Sequence, residues 1–224
     1  MPDLSRQELA ALFDHAALMP EVGEAEIEQV CREAAEFGFF SVAVNPIWVT
    51  QCTEHLRGTT VKILSVSGFP LAANRTDIKV AEAAKGVADG AHEIDMVANV
   101  GWLASNRFLE AEQEITAVRR DLPHNIILKV IIEAGKLTTE QQKQATRAVI
   151  NGGAQFVKTC TGFFGGATVE QVQTLAEAAG GKIEVKASGG IKTLSQSLDL
   201  VEAGSTRLGS SSSVSIMREF DERN

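Results

Sequence analysis

Two lysines carry the first chemical signal. Lys158 ends the apolar stretch Ala154-Gln155-Phe156-Val157 and runs into Thr159-Cys160-Thr161-Gly162. Lys186 ends Ile183-Glu184-Val185 and runs into Ala187-Ser188-Gly189-Gly190. An ammonium group in an apolar strand is costly to desolvate unless it has a partner or a use. Desolvation, or a second cation nearby, frees a lysine nitrogen as a nucleophile. The pair suggests an amine nucleophile and a cationic neighbour that keeps it unprotonated. The alternative is that each lysine only snorkels at its strand end.

Acidic residues stand at comparable places. Asp14 and His15 close one apolar stretch, Glu93 and Asp95 lie in a second, and Lys129 and Glu133 in a third. Residues two apart in a strand share a face. Glu93 therefore points with Asp95, and Lys129 with Ile131 and Glu133. Inward charges need partners, and Lys129 with Asp95 is the expected pair. For Glu93, Lys129 and Glu133 a structural ion network stands as an equal reading. Asp95 beside two lysines is expected to do chemistry, because a carboxylate there can move protons for an imine.

Three segments are rich in glycine and serine: Thr161-Gly162, Ser188-Gly189-Gly190 and Gly209-Ser210-Ser211-Ser212-Ser213. Glycine lets backbone N–H groups approach a phosphate, and serine adds hydroxyl donors. The serine run also opens a helix, whose N-terminus favours an anion. No Lys or Arg lies within residues 209–213, so backbone and hydroxyl donors are expected to dominate.

These residues must be positioned by an alternation of strands and helices. After a helical lead-in at residues 5–13, strands are expected at 13–18, 39–44, 61–66, 93–97, 125–132, 154–158, 183–186 and 206–209. Helices are expected at 24–36, 77–88, 107–122, 139–151, 169–179, 194–203 and from 212 to about 220, and Asn45-Pro46 opens one more. Gly38 should close the first of them, and Thr138 or Thr139 and Thr168 should cap two others. Apolar strands separated by helices indicate a parallel sheet. Eight such units in 224 residues point to one (β/α)8 barrel over residues 1–224, with active-site groups at the strands' C-terminal ends. A doubly wound open sheet is the rival fold, but the G-x-G-x-x-G turn it often carries after strand one is absent.

Composition narrows the function. A net charge of -8 argues against general nucleic-acid binding. No apolar run approaches the ~18–20 residues needed to span a bilayer. The opening Met-Pro-Asp-Leu-Ser-Arg lacks a signal peptide's basic and apolar regions. Cys31, Cys52 and Cys160 are an odd set without a C-x-x-C, as expected for reduced thiols in a cytoplasm. No metal-ligand spacing is present.

Eight ordered segments also carry a family resemblance. They are Asp14-His15; Val44-Asn45-Pro46; Gly68-Phe69-Pro70-Leu71; Glu93-Ile94-Asp95-Met96-Val97; Leu128-Lys129-Val130-Ile131-Ile132-Glu133; Phe156-Val157-Lys158-Thr159; Val185-Lys186 with Gly189-Gly190; and Arg207-Leu208-Gly209 with Ser211-Ser212. Over nearly its whole length the chain resembles the deoxyribose-phosphate aldolases, class I aldolases built on a (β/α)8 barrel. The resemblance implies reversible cleavage of 2-deoxy-D-ribose 5-phosphate to acetaldehyde and D-glyceraldehyde 3-phosphate. It implies Lys158 as the Schiff-base lysine, Lys186 as its cationic neighbour and Asp95 as the proton relay. Gly162, Gly189, Gly190, Gly209, Ser211 and Ser212 would hold the phosphate, with Asp14, Lys129 and Thr161 just behind. No metal or cofactor is implied, and a homodimer is compatible with the resemblance. The chain departs from the family pattern at Ala16 and Ala134 (commonly Thr), Met19 (often Lys) and Ala43 (often Cys), and the loop at residues 161–166 is one residue short. Two rivals remain: a transaldolase-like Schiff-base barrel acting on another phosphorylated sugar, and a silent sugar-phosphate binding protein.

Overall fold

The structure, a computed structural model, describes residues 4–223. Eight parallel strands close into a barrel in sequence order. The strands are β1 (Phe13–Ala17), β2 (Ser41–Val44), β3 (Lys62–Ser67), β4 (Glu93–Val97), β5 (Ile127–Ile131), β6 (Phe156–Lys158), β7 (Glu184–Ser188) and β8 (Arg207–Ser210). β8 returns to β1 with Asp14 opposite Gly209, which closes the ring. A parallel pair needs a crossover connection, and each strand is joined to the next through at least one helix.

The helices are α1 (Arg6–Ala10), α2 (Glu24–Phe37), α3 (Val49–His55), α4 (Thr76–Ala88), α5 (Val100–Ala104), α6 (Phe108–Asp121), α7 (Thr139–Asn151), α8 (Val169–Ala179), α9 (Leu194–Glu202) and α10 (Ser213–Arg223). The helical lead-in is α1, fixed by a capping box between Ser5 and Glu8. Thr138 and Thr168 do cap α7 and α8, each paired with a glutamine three residues on, and Thr193 caps α9 in the same way. Gly38 ends α2 in the left-handed region at φ 75°, where a side chain would be strained.

Local details differ from expectation. Phe39 and Phe40 precede β2 instead of opening it. Phe39 turns out of the strand direction to stack on Phe37 and to meet Phe13 edge-on. Asn45-Pro46 opens a single 3-10 turn at Pro46–Trp48, and α3 follows it. The short α5 was not anticipated, because five residues are too few to show a helical period. The side chain of Asn99 nucleates it by accepting from Trp102 N at 3.1 Å.

The main apolar core packs the outer faces of the strands against the helices, with Ile27, Val30, Ala34, Ile94, Ile115, Leu128, Val149 and Leu175 among its buried members. Burying each such side chain contributes about 1.5–3 kcal/mol. Inside the barrel the alternating residues are mixed: Asp14, Glu93, Asp95, Lys129, Lys158, Lys186 and Arg207 are charged, whereas β2 and β3 contribute Ala43, Leu64 and Val66 as a small apolar cluster. Among the described residues no helix is long and apolar enough to cross a membrane.

Candidate active site

Strand register brings the three principal residues together. Asp95 lies opposite Lys129 across the β4–β5 pair, and Lys158 lies opposite Lys186 across β6–β7. All four side chains point inward. Asp95 Oδ2 accepts from Lys158 Nζ at 2.7 Å and from Lys186 Nζ at 2.7 Å. Its Oδ1 accepts from Lys129 Nζ at 3.1 Å, so the expected Lys129–Asp95 pair is present. Lys186 Nζ also lies 2.5 Å from Asp14 Oδ2. Asp14 is held in turn by Ser41 Oγ and by Arg207 Nη1.

Burial sets the electrostatics. Taken alone it would push the Asp95 carboxyl up, but the ammonium groups of Lys129, Lys158 and Lys186 outweigh it and hold Asp95 well below the usual carboxylate range. Asp14 is likewise lowered: burial opposes ionisation, and Lys186, Lys129 and Arg207 override it. Burial pushes Lys186 down, Asp14 and Asp95 pull it up, and Lys158 and Lys129 push it down again; the balance is about 8. Lys129, also desolvated, is raised because Asp95, Glu93 and Asp14 surround it. Among these shifted groups the proton most readily lost is therefore that of Lys186, which shares one carboxylate oxygen with Lys158.

A cavity of about 390 Å³ opens above the pair. Lys158 and Lys186 reach its wall; Asp95 and Lys129 lie behind it. One side is apolar, made of Ala16, Leu18, Val22 and Ala43. The other holds the residues expected to meet a phosphate: Gly162, Gly189, Gly190, Gly209, Ser211 and Ser212 all line it, as does Thr161. Gly162, Gly189 and Gly190 have φ of 89°, 86° and 72°. A Cβ at Gly189 would lie 2.9 Å from Gly162 Cα and 3.0 Å from Gly165 O, so the β6 and β7 loops fit together only through glycine. Gly209 has a different task, because a Cβ there would come within 3.1 Å of Lys186 Cε. Its bareness makes room for that lysine.

One cavity residue was missed by sequence reasoning, and two others take places it did not assign. Lys192, directly after Gly189-Gly190-Ile191, lines the cavity and brings a cation to the phosphate side. Its place between a glycine pair and the helix cap Thr193 was the available signal. Glu133 sits at φ 51° and accepts from Thr161 N at 3.2 Å and Oγ1 at 2.9 Å, anchoring the loop after the Lys158 strand. Arg207 turns into the barrel, stacked 3.5 Å over the Phe40 ring. Among the positions departing from the family pattern, Ala16, Met19 and Ala43 line the cavity and Ala134 does not.

A buried amine pair on one carboxylate, at the C-terminal mouth of an eight-stranded barrel, is an arrangement suited to imine formation. The model of the DeoC/LacD family aldolases matches residues 9–212. Over 213 residues the chain is 44% identical to deoxyribose-phosphate aldolase 1 of Bacillus licheniformis, covering 95% of this chain and 96% of that protein. Its fold matches the structure of an aldolase, QR15, with a TM-score of 0.91 at 39% identity, covering 96% of each chain. It matches a tetrameric deoxyribose phosphate aldolase from Aeropyrum pernix with a TM-score of 0.91 at 28% identity, covering 98% of this chain and 94% of that one. The chain belongs to the DeoC/LacD aldolase family.

Proposed function

We infer that this chain is a metal-independent class I aldolase that reversibly cleaves 2-deoxy-D-ribose 5-phosphate to acetaldehyde and D-glyceraldehyde 3-phosphate. The carrying observation is that Lys158 and Lys186 share Asp95 Oδ2 at 2.7 Å each beneath a cavity with a Gly/Ser rim. Unprotonated Lys158 adds to C1 of the open-chain sugar, and loss of water gives a protonated imine. The C3 hydroxyl then gives up its proton, the C2–C3 bond breaks, and the electron pair moves to the imine nitrogen as an enamine. C3 leaves as the aldehyde of glyceraldehyde 3-phosphate. Protonation at C2 and hydrolysis release acetaldehyde and the free lysine. The protonated imine is the electron sink.

Lys186 is the group with a proton to exchange near neutral pH, at about 8. Asp95 stays ionised and bridges the two amines, so it passes a proton without storing it. Gly162, Gly189, Gly190, Ser211 and Ser212, with Lys192, receive the phosphate, and Gly209 shapes the floor beneath it. Asp14, Lys129 and Thr161 hold the reacting groups from behind. The apolar side of Ala16, Leu18 and Ala43 suits the methyl end of acetaldehyde. We also propose that the chain works in the cytoplasm and self-associates; light scattering after gel filtration tests the association.

The deciding experiment adds acetaldehyde and borohydride to the protein and maps the reduced adduct by peptide mass spectrometry. The expected product is an ethyl group on Lys158. An adduct on another lysine would move the nucleophile, and no adduct would remove the imine mechanism. A ketose phosphate accepted in place of acetaldehyde would favour the transaldolase-like alternative.

A further inference from the structure

Below the two amines the charged side chains form a closed ring of alternating sign. Asp95 Oδ2 meets Lys186, and Lys186 meets Asp14 Oδ2 at 2.5 Å. Asp14 Oδ1 meets Arg207 Nη1 at 3.0 Å, and the same nitrogen lies 3.4 Å from Glu93 Oε2. Glu93 Oε2 meets Lys129 at 2.5 Å, and Lys129 returns to Asp95 Oδ1 at 3.1 Å. The six residues come from β1, β4, β5, β7 and β8, and each is at most 7% exposed. With all six ionised the ring carries three positive and three negative charges. Lys158 hangs from it at Asp95 as a seventh, unbalanced charge.

We propose that Arg207 and Glu93, which touch neither the cavity nor Lys158, are positioning residues whose opposite charges set the pH at which the Lys158–Lys186 pair gives up its proton. Their route to the pair is short and dry. Arg207 acts through Asp14 on Lys186, and Glu93 acts through Lys129 on Asp95. Water cannot screen either step well, because the Phe40 and Phe156 rings close the barrel beneath Arg207. Glu93 uses only Oε2 for both cations, and its buried Oε1 has no hydrogen-bond partner among the described residues. A glutamine there can keep its oxygen toward both cations, with its amide nitrogen in the unpartnered Oε1 position.

The signs follow from charge alone. Without the Arg207 cation the ring is one unit negative, and the lysine pair holds its proton to higher pH. Without the Glu93 anion the ring is one unit positive, and the pair releases its proton at lower pH. The other charged groups packed around the pair are Asp14, Asp95, Lys129 and, from the β5 loop, Glu133; all stay in place in both variants. His15 lies in the same strand as Asp14 but points away to Glu33 at 2.9 Å. Each shift should be about one pH unit, the size expected for a unit charge several ångströms away in a partly screened interior.

The inference rests on the imine reading for its catalytic meaning, so the test measures the amines themselves. Competitive acetylation of the whole protein across pH, read by peptide mass spectrometry, gives the midpoint at which Lys158 and Lys186 become reactive. Glu93→Gln should lower that midpoint by about one unit and Arg207→Gln should raise it by a similar amount. Arg207→Lys keeps the charge and should leave the midpoint near that of the wild type. Should Arg207→Gln fail to fold, the downward shift in Glu93→Gln still decides the sign. Midpoints unchanged in the folded variants, or shifts of one sign for both, would overturn the ring's role. Failure of the acetaldehyde adduct with shifted midpoints would overturn the aldolase reading alone.

Discussion

Two ionic clusters are buried in this molecule, and they differ in arithmetic. Outside the barrel Lys79 of α4 meets Glu114 of α6 at 2.9 Å, both side chains 0% exposed. Every contact there is matched. Lys79 Nζ also donates to Val97 O at 2.8 Å, and Glu114 Oε2 accepts from Asn99 N at 2.9 Å. Burial pushes Lys79 down and Glu114 up, as for one cation and one anion sealed together. Inside the barrel four cations meet three carboxylates, and the surplus amine faces a cavity. A balanced, closed pair fixes the start of the loop after β4. An unbalanced cluster with an open side has a proton to lose and a nitrogen to offer.

The contrast is broken most sharply by removing one lysine from each cluster. Lys158→Ala should lower turnover of deoxyribose 5-phosphate by about 10⁴-fold or more, since the nucleophile itself is lost. Its melting temperature should hold or rise, because the remaining ring is neutral. Lys79→Ala should do the reverse. It strands a buried carboxylate, which costs about 3–5 kcal/mol, toward the low end here because burial already favours the neutral acid. Activity per folded molecule should fall far less than in Lys158→Ala. Thermal melts and steady-state rates on both variants check the pairing. A Lys158→Ala protein that melts many degrees lower would show the surplus cation to be structural. Replacing both partners, Lys79→Met with Glu114→Leu, should recover most of the lost stability.

The difference between the clusters was only half legible in the sequence. Lys158, Lys186, Asp95 and Lys129 could be placed together because period-two strands fix which side chains share a face. The ion pair Lys79–Glu114 was invisible, since helical residues 35 positions apart meet only once the packing of α4 on α6 is known. The inward turn of Arg207 was not legible, because a short strand's sequence alone does not fix which of its faces meets the barrel interior. Lys192 was not legible as a phosphate-side cation, because only residues 209–213 could be scanned as a helix-opening run, whereas Lys192 reaches the cavity from the loop after β7. The eight-unit alternation was plain, and α5 was lost to its shortness.

A smaller effect sharpens the unbalanced cluster. Lys186→Leu removes the cation that shares Asp95 Oδ2 with Lys158. Below about pH 8 Lys186 is an ammonium and repels a second one; above it the repulsion fades. Without it that repulsion is absent at every pH, so the rising limb of the pH–rate profile should move to higher pH. The rate at pH 7 should fall accordingly. Rates measured from pH 6 to 10 check this, and a limb that stays in place would break the link between the two amines.

The smallest effect concerns the far end of the cavity, where no surplus charge is buried. On the proposed reading, a phosphate dianion here meets backbone donors, hydroxyls and the N-terminus of α10, which the cavity lining offers. Remote phosphate binding places C1 at the amine, so it should matter to turnover as well as affinity. Introducing carboxylates with Ser211→Asp and Ser212→Asp should cut the preference for deoxyribose 5-phosphate over deoxyribose by roughly ten- to a hundredfold, about 1–3 kcal/mol of like-charge repulsion and lost donors. Lys192→Met tests the one basic side chain found there. Lys192 is exposed, so water already screens it, and its loss should reduce the preference only about two- to fivefold, the range of an exposed ion pair. Measuring kcat/KM for both sugars at low and at 0.5 M salt separates the cases. The Lys192→Met effect should vanish at high salt, and a preference held by backbone N–H groups and the helix end should survive there. A Lys192→Met variant that abolishes the preference outright would make this rim a charged clamp like the barrel interior, with the glycines only giving it room.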